Sequence, residues 1–414
     1  MERKKILIIS DLFYPTTEIG AIRPTKIAKF LKKNGYQVDI FTRYNCDDID
    51  LKIYCDNIYT FESKKINISV KKIKKKNKFQ SLKNTYRMFL SIKRSRIMFK
   101  NFKILSFDLM RKNKYDVVLS TFGPLSSLWC GLYYKKKYPD IKWICDFRDP
   151  IVLESTPKIF FLYFKWLERV SCKKADSITV VSQGYLERIC PKKYRYKAFM
   201  IPNGYDDDDQ IYKKVDNIDR STIRFLYVGT LYEGKRKLIP IFKVIRELID
   251  EKIIDENKIE FCYAGNDAAF FLQQARLYKL EDRVKNYNNI SRIDCLKLQF
   301  NSDFLLLSTW NNKKEFGVFP GKLLEYMLIN KPIISIVDGN LPNSEVSSVI
   351  EAGNLGISYE YARKGIDYKK LKKYIKKQYL LVVSDKSIDF KPNKSLIENY
   401  SYCNIIKQLE EVIN

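Results

Sequence analysis

Short, near-continuous apolar runs alternate with longer stretches of helical period through the first half of the chain. Lys5–Ser10, Val38–Thr42, Val117–Ser120, Trp143–Asp146 and Ser177–Val181 read as buried strands. Pro24–Asn34, Ser126–Lys137 and Pro157–Lys174 read as the helices between them. Strand-helix alternation with Val/Ile/Leu-rich strands predicts a parallel sheet covered on both faces. The rhythm restarts in the second half, with strands at Arg224–Val228, Ile259–Tyr263, Phe304–Leu307 and Ile333–Ile336 and helices at Leu238–Ile249, Ala268–Leu280 and Gly321–Ile329. Between the halves lies the polar segment Pro202–Thr222, where Asn203-Gly204 precedes the acidic run Asp206–Asp209. Turn residues followed by like charges suit a linker. The expected fold class is therefore α/β with two doubly wound Rossmann-like domains: residues 1–202, a linker at 203–222, a second domain at 223–390, and a C-terminal loop and helix at 391–414. That last helix is expected over Ser395–Ile413, after Pro392.

One segment departs from this rhythm. Between Lys64 and Lys114 the only acid is Asp108, while Lys71, Lys72, Lys74, Lys75, Lys76 and Lys78 lie almost adjacent. Further on, Tyr86, Phe89, Leu90, Ile97, Met98, Phe102 and Leu105 recur at helical spacing among Arg87, Lys93, Arg94 and Arg96. This is the pattern of a basic amphipathic helix, suited to an anionic membrane surface. The aromatic run Phe160–Phe164 with Trp166 reads first as core, with help at such an interface as the alternative.

Composition narrows the function. The 414 residues hold 76 Lys and Arg against 48 Asp and Glu, a formal charge of +28 that favours anionic partners. No helix-turn-helix, RNA-recognition or zinc-finger pattern accompanies it, so nucleic acid is not the expected partner. Histidine is absent, which removes His bases, His metal ligands and Ser-His-Asp triads. The 9 cysteines form no Cys-x-x-Cys pair and suggest neither a disulfide framework nor a metal site. The apolar run Ile6–Ile9 is too short for a signal peptide, so the expected location is the cytoplasm, with the inner face of the plasma membrane as the place of docking.

In open α/β sheets ligands bind beyond the carboxyl ends of the strands. The loop after the first strand carries Glu18, Gly20 and Arg23 ahead of a helix expected to start at Pro24. After the strand at Trp143 comes Asp146-Phe147-Arg148-Asp149-Pro150, three charges that read equally as a reactive cluster or as an ion pair fixing the loop. In the second half, Gly229, Gly234, Lys235 and Arg236 follow a strand, a composition that can approach and neutralise a diphosphate. The segment Glu315-Phe316-Gly317-Val318-Phe319-Pro320-Gly321-Lys322-Leu323-Leu324-Glu325-Tyr326 places Gly321 and Lys322 at a helix N-terminus, where free N–H groups favour an anion. Glu325, one turn further, is spaced to accept hydrogen bonds from ribose hydroxyls. The run Asp206–Asp209 is read as a solvated linker rather than a metal-binding Asp-x-Asp motif.

Seven pieces in order along the chain are similar to the retaining, GT-B-fold glycosyltransferases of family 4, which include bacterial capsule and lipopolysaccharide enzymes. They are Phe13-Tyr14-Pro15 through Arg23, Gly35-Tyr36-Gln37-Val38, Asp146–Pro150, Ala175–Ser182, Ile201-Pro202-Asn203-Gly204, Val228-Gly229-Thr230 and Gly321–Tyr326. The resemblance implies two Rossmann-like domains facing each other across a cleft, with the C-terminal helix returning to the N-terminal domain. It implies transfer of a hexosyl or related group from a nucleotide-diphosphate sugar to a glycan or lipid-linked acceptor in cell-surface polysaccharide synthesis. The sugar nucleotide is then a substrate, with no cofactor and no metal. On this resemblance Gly20, Asp146, Arg148 and Asp149 are the catalytic candidates, and Glu18 and Arg23 the acceptor side. Gly229, Lys235, Arg236, Phe319, Gly321, Lys322 and Glu325 form the donor-binding set, Glu325 matching the second glutamate of the family's Glu-x7-Glu motif. The chain departs from the family at Gly317, where the first motif glutamate stands, at Thr230 in place of an arginine, and at Ser126-Ser127-Leu128 in place of an N-domain histidine. A catalytically degenerate partner subunit is the alternative that Gly317 suggests. A nucleotide-sugar 2-epimerase is a weaker one, because those enzymes use histidine.

Overall fold

A computed structural model describes residues 4–16, 18–44, 51–62, 80–208, 222–232, 234–384 and 386–414. The lysine run Lys71–Lys78 and most of the linker fall outside them. The chain divides into two compact units, one of residues 1–203 with 402–414 and the other of residues 204–401.

Unit 1 is built on a seven-stranded sheet: β1 (Lys5–Ile9), β2 (Gln37–Tyr44), β3 (Asn57–Glu62), β4 (Val117–Thr121), β5 (Lys142–Phe147), β6 (Ser177–Val180) and β7 (Ala198–Met200). The order is β3-β2-β1-β4-β5-β6-β7, and every pairing is parallel. Ile6 lies between Val38 and Val117, so β1 is an inner strand at which the order reverses. Its helices are α1 (Ile19–Lys33), α2 (Leu51–Tyr54), α3 (Gln80–Lys112), α4 (Leu125–Lys137), α5 (Lys158–Lys174) and α6 (Gln183–Ile189).

Unit 2 repeats the plan with six parallel strands: β8 (Ile223–Val228), β9 (Ile259–Ala264), β10 (Val284–Asn286), β11 (Phe304–Trp310), β12 (Ile333–Asp338) and β13 (Gly356–Glu360), in the order β10-β9-β8-β11-β12-β13. Its helices are α7 (Ile239–Asp250), α8 (Ala268–Arg276), α9 (Arg292–Phe300), α10 (Gly321–Ile329), α11 (Glu345–Ala352), α12 (Lys364–Val383) and α13 (Lys394–Glu398). The strands are apolar throughout because each feeds two cores. Phe225, Tyr227, Phe304 and Leu306 enter one cluster, while their neighbours Leu226, Val228, Leu305 and Leu307 enter the other. The chain then rejoins unit 1 through α14 (Tyr402–Ile413), which buries Tyr402, Ile405, Ile406 and Leu409 with Ile27, Phe30 and Leu31 of α1.

The two-sheet reading holds, and the differences have physical causes. Helix α1 starts at Ile19 rather than Pro24, so Gly20 and Arg23 are helical residues and Pro24 lies inside the helix. The missing N–H of Pro24 frees the Gly20 carbonyl, and the Arg148 guanidinium donates a hydrogen bond to it. The expected C-terminal helix is two helices, α13 and α14, split where Tyr205 bridges to Ser401. Helix α12 escaped the sequence reading because its buried stripe, Leu371, Ile375 and Tyr379, is one residue wide in a lysine-rich segment. In α3 the buried line runs through Ser95, Met98, Phe102, Ser106 and Leu109, whereas Tyr86, Phe89, Leu90 and Ile97 are exposed. The run expected as core at the start of α5 is exposed too: Phe161, Leu162, Tyr163 and Trp166 face solvent, and only Phe164 is buried.

Candidate active site

In unit 1, Arg23 and Asp146 meet as a closed buried pair. Arg23 Nε and Nη2 donate to the two Asp146 oxygens at 2.9 and 2.8 Å. Its other N–H groups reach the carbonyls of Ile201 at 3.0 Å and Pro202 at 2.9 Å and the Asn203 side chain at 3.2 Å. These bonds use all five guanidinium donors. Asp146 also accepts from Thr179 at 2.6 Å and Thr121 at 3.2 Å, so each of its oxygens takes two bonds. Burial opposes its charge, but Arg23 and the two threonine hydroxyls hold its carboxyl below the usual range. The pair is 3% and 1% exposed and has no valence left for substrate. The structure thus places Asp146, expected among the catalytic candidates, and Arg23, expected on the acceptor side, in a buried clamp that ties the ends of β5 and β6 to α1 and to the Ile201–Asn203 strand exit.

The groups around this clamp are differently placed. Arg148 turns away from Asp146 and donates to the carbonyls of Gly20 and, at 3.3 Å, Gly123. A Cβ at Gly20 would lie 2.9 Å from the guanidinium, and one at Gly123, whose φ is +134°, only 2.2 Å from it. Two glycines thus make the slot that Arg148 occupies. Asp149 is exposed and has no hydrogen-bond partner among the described residues. The following loop is anchored by buried Glu168, which accepts from the Ile151 N–H at 2.9 Å and from Lys165 at 2.6 Å. Glu18 sits exposed at the N-cap position of α1 and makes no capping bond.

In unit 2, Gly229, Lys322 and Glu325 come together. Gly229, at the end of β8, has φ +113°, a conformation side chains rarely adopt. Its carbonyl accepts from the Tyr263 hydroxyl at 2.9 Å, and a Cβ on it would face Lys322 Cε at 3.9 Å. Lys322 opens α10 and donates to Glu325 at 2.9 Å. Glu325 also accepts from Gln299 at 2.6 Å and Arg292 at 3.2 Å. Burial works against its charge, and Lys322 and Arg292 outweigh it, holding the carboxyl below its ordinary value. Helix α10 has no side-chain cap, no acid in its first turn, and open space beside Gly321. Its free N–H groups, Lys322 and Arg292 make a cationic patch with one ionised carboxylate, able to take an anion and hydroxyls together.

Arg236 is braced rather than free: it lies 4.6 Å from the Tyr232 ring and 5.5 Å from the Trp310 ring, and donates to the Thr230 carbonyl at 3.2 Å. Lys235 next to it is exposed. Phe319 stacks on Tyr400 with centroids 5.7 Å apart, which fixes the approach to α10. Sequence reading missed Gly123, Gln299, Tyr232 and Trp310. Trp310 ends β11, so the strand-end rule that found Asp146 would have found it. Asp206 caps Asp208 N–H at 3.1 Å and Asp207 accepts from Ser401 at 2.8 Å, so the described acids of that run serve the chain itself. Asp209 lies outside the described residues.

Residues 25–209 match the family model of Glycosyltransferase Family 4. The chain has the GT-B fold, and its residues 25–209 are similar to Glycosyltransferase Family 4. Among solved structures it is similar to a glycosyltransferase from Rickettsia africae, at 16% identity and a TM-score of 0.59, over 100% of this chain and 98% of that one. It is also similar to the apo form of WaaB, a lipopolysaccharide outer core galactosyltransferase, at 16% identity and a TM-score of 0.59, over 99% of each chain. A UDP-N-acetylglucosamine 2-epimerase described as putative, from Listeria monocytogenes, shares the fold at 13% identity and a TM-score of 0.53, over 99% of this chain and 96% of that one. No curated protein matches the sequence. The family match covers most of unit 1, whereas the fold likeness spans both units.

Proposed function

We propose that the chain transfers a sugar from a nucleotide-diphosphate donor to a glycan or lipid-linked glycan acceptor, with retention and without a metal, in cell-surface polysaccharide synthesis. The observation that carries this reading is the convergence of Gly229, Lys322, Arg292 and ionised Glu325 at the uncapped start of α10. In this reading the N–H groups of α10 and Lys322 take the diphosphate, Lys235 adds a free cation, and Glu325 takes the ribose hydroxyls. In unit 1, Glu18 stands on the acceptor side, and Gly20, Arg148 and Asp149 are the catalytic candidates.

The step breaks the bond between the sugar's anomeric carbon and the donor phosphate oxygen and forms one to an acceptor oxygen on the same face. The acceptor proton passes to the leaving phosphate, so a chain without histidine needs no separate base. Fixed cations at the diphosphate stabilise the negative charge that develops as the bond breaks. The degenerate-subunit reading keeps one observation in its favour: Gly317 has φ +78°, so its loop is shaped for glycine and not for the motif glutamate.

Turnover separates the two. Purified protein incubated with a panel of nucleotide-diphosphate sugars and membrane-lipid extract is expected to release one nucleoside diphosphate and to yield a product whose anomeric configuration, read by NMR, matches the donor's. An inverted product overturns the mechanism, and no release from any donor overturns the activity.

A further inference from the structure

Helix α5 exposes the wrong residues for a surface helix. Its inner face buries Phe164, Leu167, Ser171 and Cys172, so the opposite face should be polar. Instead Ile159, Leu162 and Trp166, at positions i, i+3 and i+7, are 76%, 80% and 56% exposed. Phe161 and Tyr163 flank them, also exposed. The arrangement is braced, because Tyr163 stacks on Trp166 at 5.8 Å and accepts a hydrogen bond from Trp129 at 3.0 Å.

Three and seven residues beyond Trp166 the same stripe changes character to Arg169 and Lys173. These two, with Trp166, Lys193 and Tyr194, line an open recess of about 540 Å³. No carboxylate lines it, and the Arg169 and Lys173 side chains have no hydrogen-bond or ion-pair partner among the described residues. Lys193 lies over the Tyr194 ring at 4.9 Å. A row of protruding apolar side chains that runs into a basic, aromatic-walled recess is the surface chemistry of a membrane interface.

We propose that this face of unit 1 is a docking site for an anionic phospholipid bilayer: the recess takes the phosphate of a lipid headgroup, while Ile159, Leu162 and Trp166 enter the acyl boundary. The charge of the recess chooses the headgroup, and the apolar row chooses a lipid over a soluble phosphate. The contact element is α5, not the basic helix α3. The proposal stands apart from the donor reading, since none of its residues belongs to unit 2.

The test is co-sedimentation of the full chain with vesicles of phosphatidylcholine alone or mixed with phosphatidylglycerol, at low salt. Wild type is expected to bind only the anionic vesicles, and soluble glycerol phosphate at millimolar concentration should not release it. The exposed double variants Ile159→Asp with Leu162→Asp, and Arg169→Ala with Lys173→Ala, should each weaken binding about tenfold or more. Lys93→Ala with Arg94→Ala on α3 should change it no more than about threefold, and circular dichroism checks that all variants fold. No vesicle binding, loss confined to the α3 variant, or release by glycerol phosphate would each overturn the proposal. Nucleotide binding measured on the same preparations keeps its outcome separate from that of the donor site.

Discussion

Replacing Arg23 by methionine is expected to destabilise the chain by about 3–5 kcal/mol, the cost of leaving a buried charge without its partner. The volume is nearly kept, so the loss reports on charge and hydrogen bonds rather than on a cavity. Asp146 would keep Thr121 and Thr179 but lose both guanidinium bonds, and the carbonyls of Ile201 and Pro202 would lose a donor. Urea unfolding of wild type and variant measures the difference, and the Arg23→Met, Asp146→Leu double variant should recover part of it. The effect also has a pH signature. The folded-state pKa of Asp146 is depressed below its unfolded value near about 3.9, so the pair's contribution is complete above that value and is lost as pH falls through the folded pKa. Without Arg23 the buried carboxyl shifts upward instead, so the gap between wild type and variant should shrink as pH falls from 7 towards 4. A gap that does not change with pH would mean that Asp146 is not ionised in the folded protein.

The second large effect is expected at Glu325. Glu325→Ala should weaken nucleoside diphosphate binding about 10- to 150-fold, the worth of a charge-assisted hydrogen-bond set of about 1.5–3 kcal/mol. Two consequences act together. The ribose loses its carboxylate acceptor, and Lys322, Arg292 and Gln299 lose the group that orients them. Glu325→Gln separates these roles, because it keeps an acceptor for the hydroxyls but no longer holds the two cations, and its loss should be smaller. Titration calorimetry with nucleoside mono- and diphosphates measures both. Lys235→Ala in the same series should lower diphosphate affinity more than monophosphate affinity. Equal affinity in wild type and Glu325→Ala would remove Glu325 from the site.

How far this site could be read from sequence depended on how local its signals are. The α10 start was legible because Gly321, Lys322 and Glu325 lie about one turn apart at most, and helical geometry alone puts Lys322 against Glu325. The parallel sheets were legible because strands feeding two cores must be apolar on both faces. Arg23 and Asp146 were each singled out, but their pairing spans more than a hundred residues, and the adjacent Arg148 was the nearer partner on paper. The start of α1 was misplaced because proline usually marks a first turn, and nothing local shows that Arg148 supplies the hydrogen bond Pro24 cannot make. The outward face of α5 was misread for a similar reason: an aromatic run looks like core until the tertiary fold decides which side of the helix is covered.

Hydrogen exchange of the purified chain, with and without the nucleoside diphosphate that binds most tightly, tests the central claim most directly. Protection is expected at the amides of Gly229 to Lys235 and at the first turn of α10, Gly321 to Leu324, and it should disappear in Glu325→Ala. Protection confined to unit 1, or none in either segment despite measurable binding, would contradict a donor site at the start of α10.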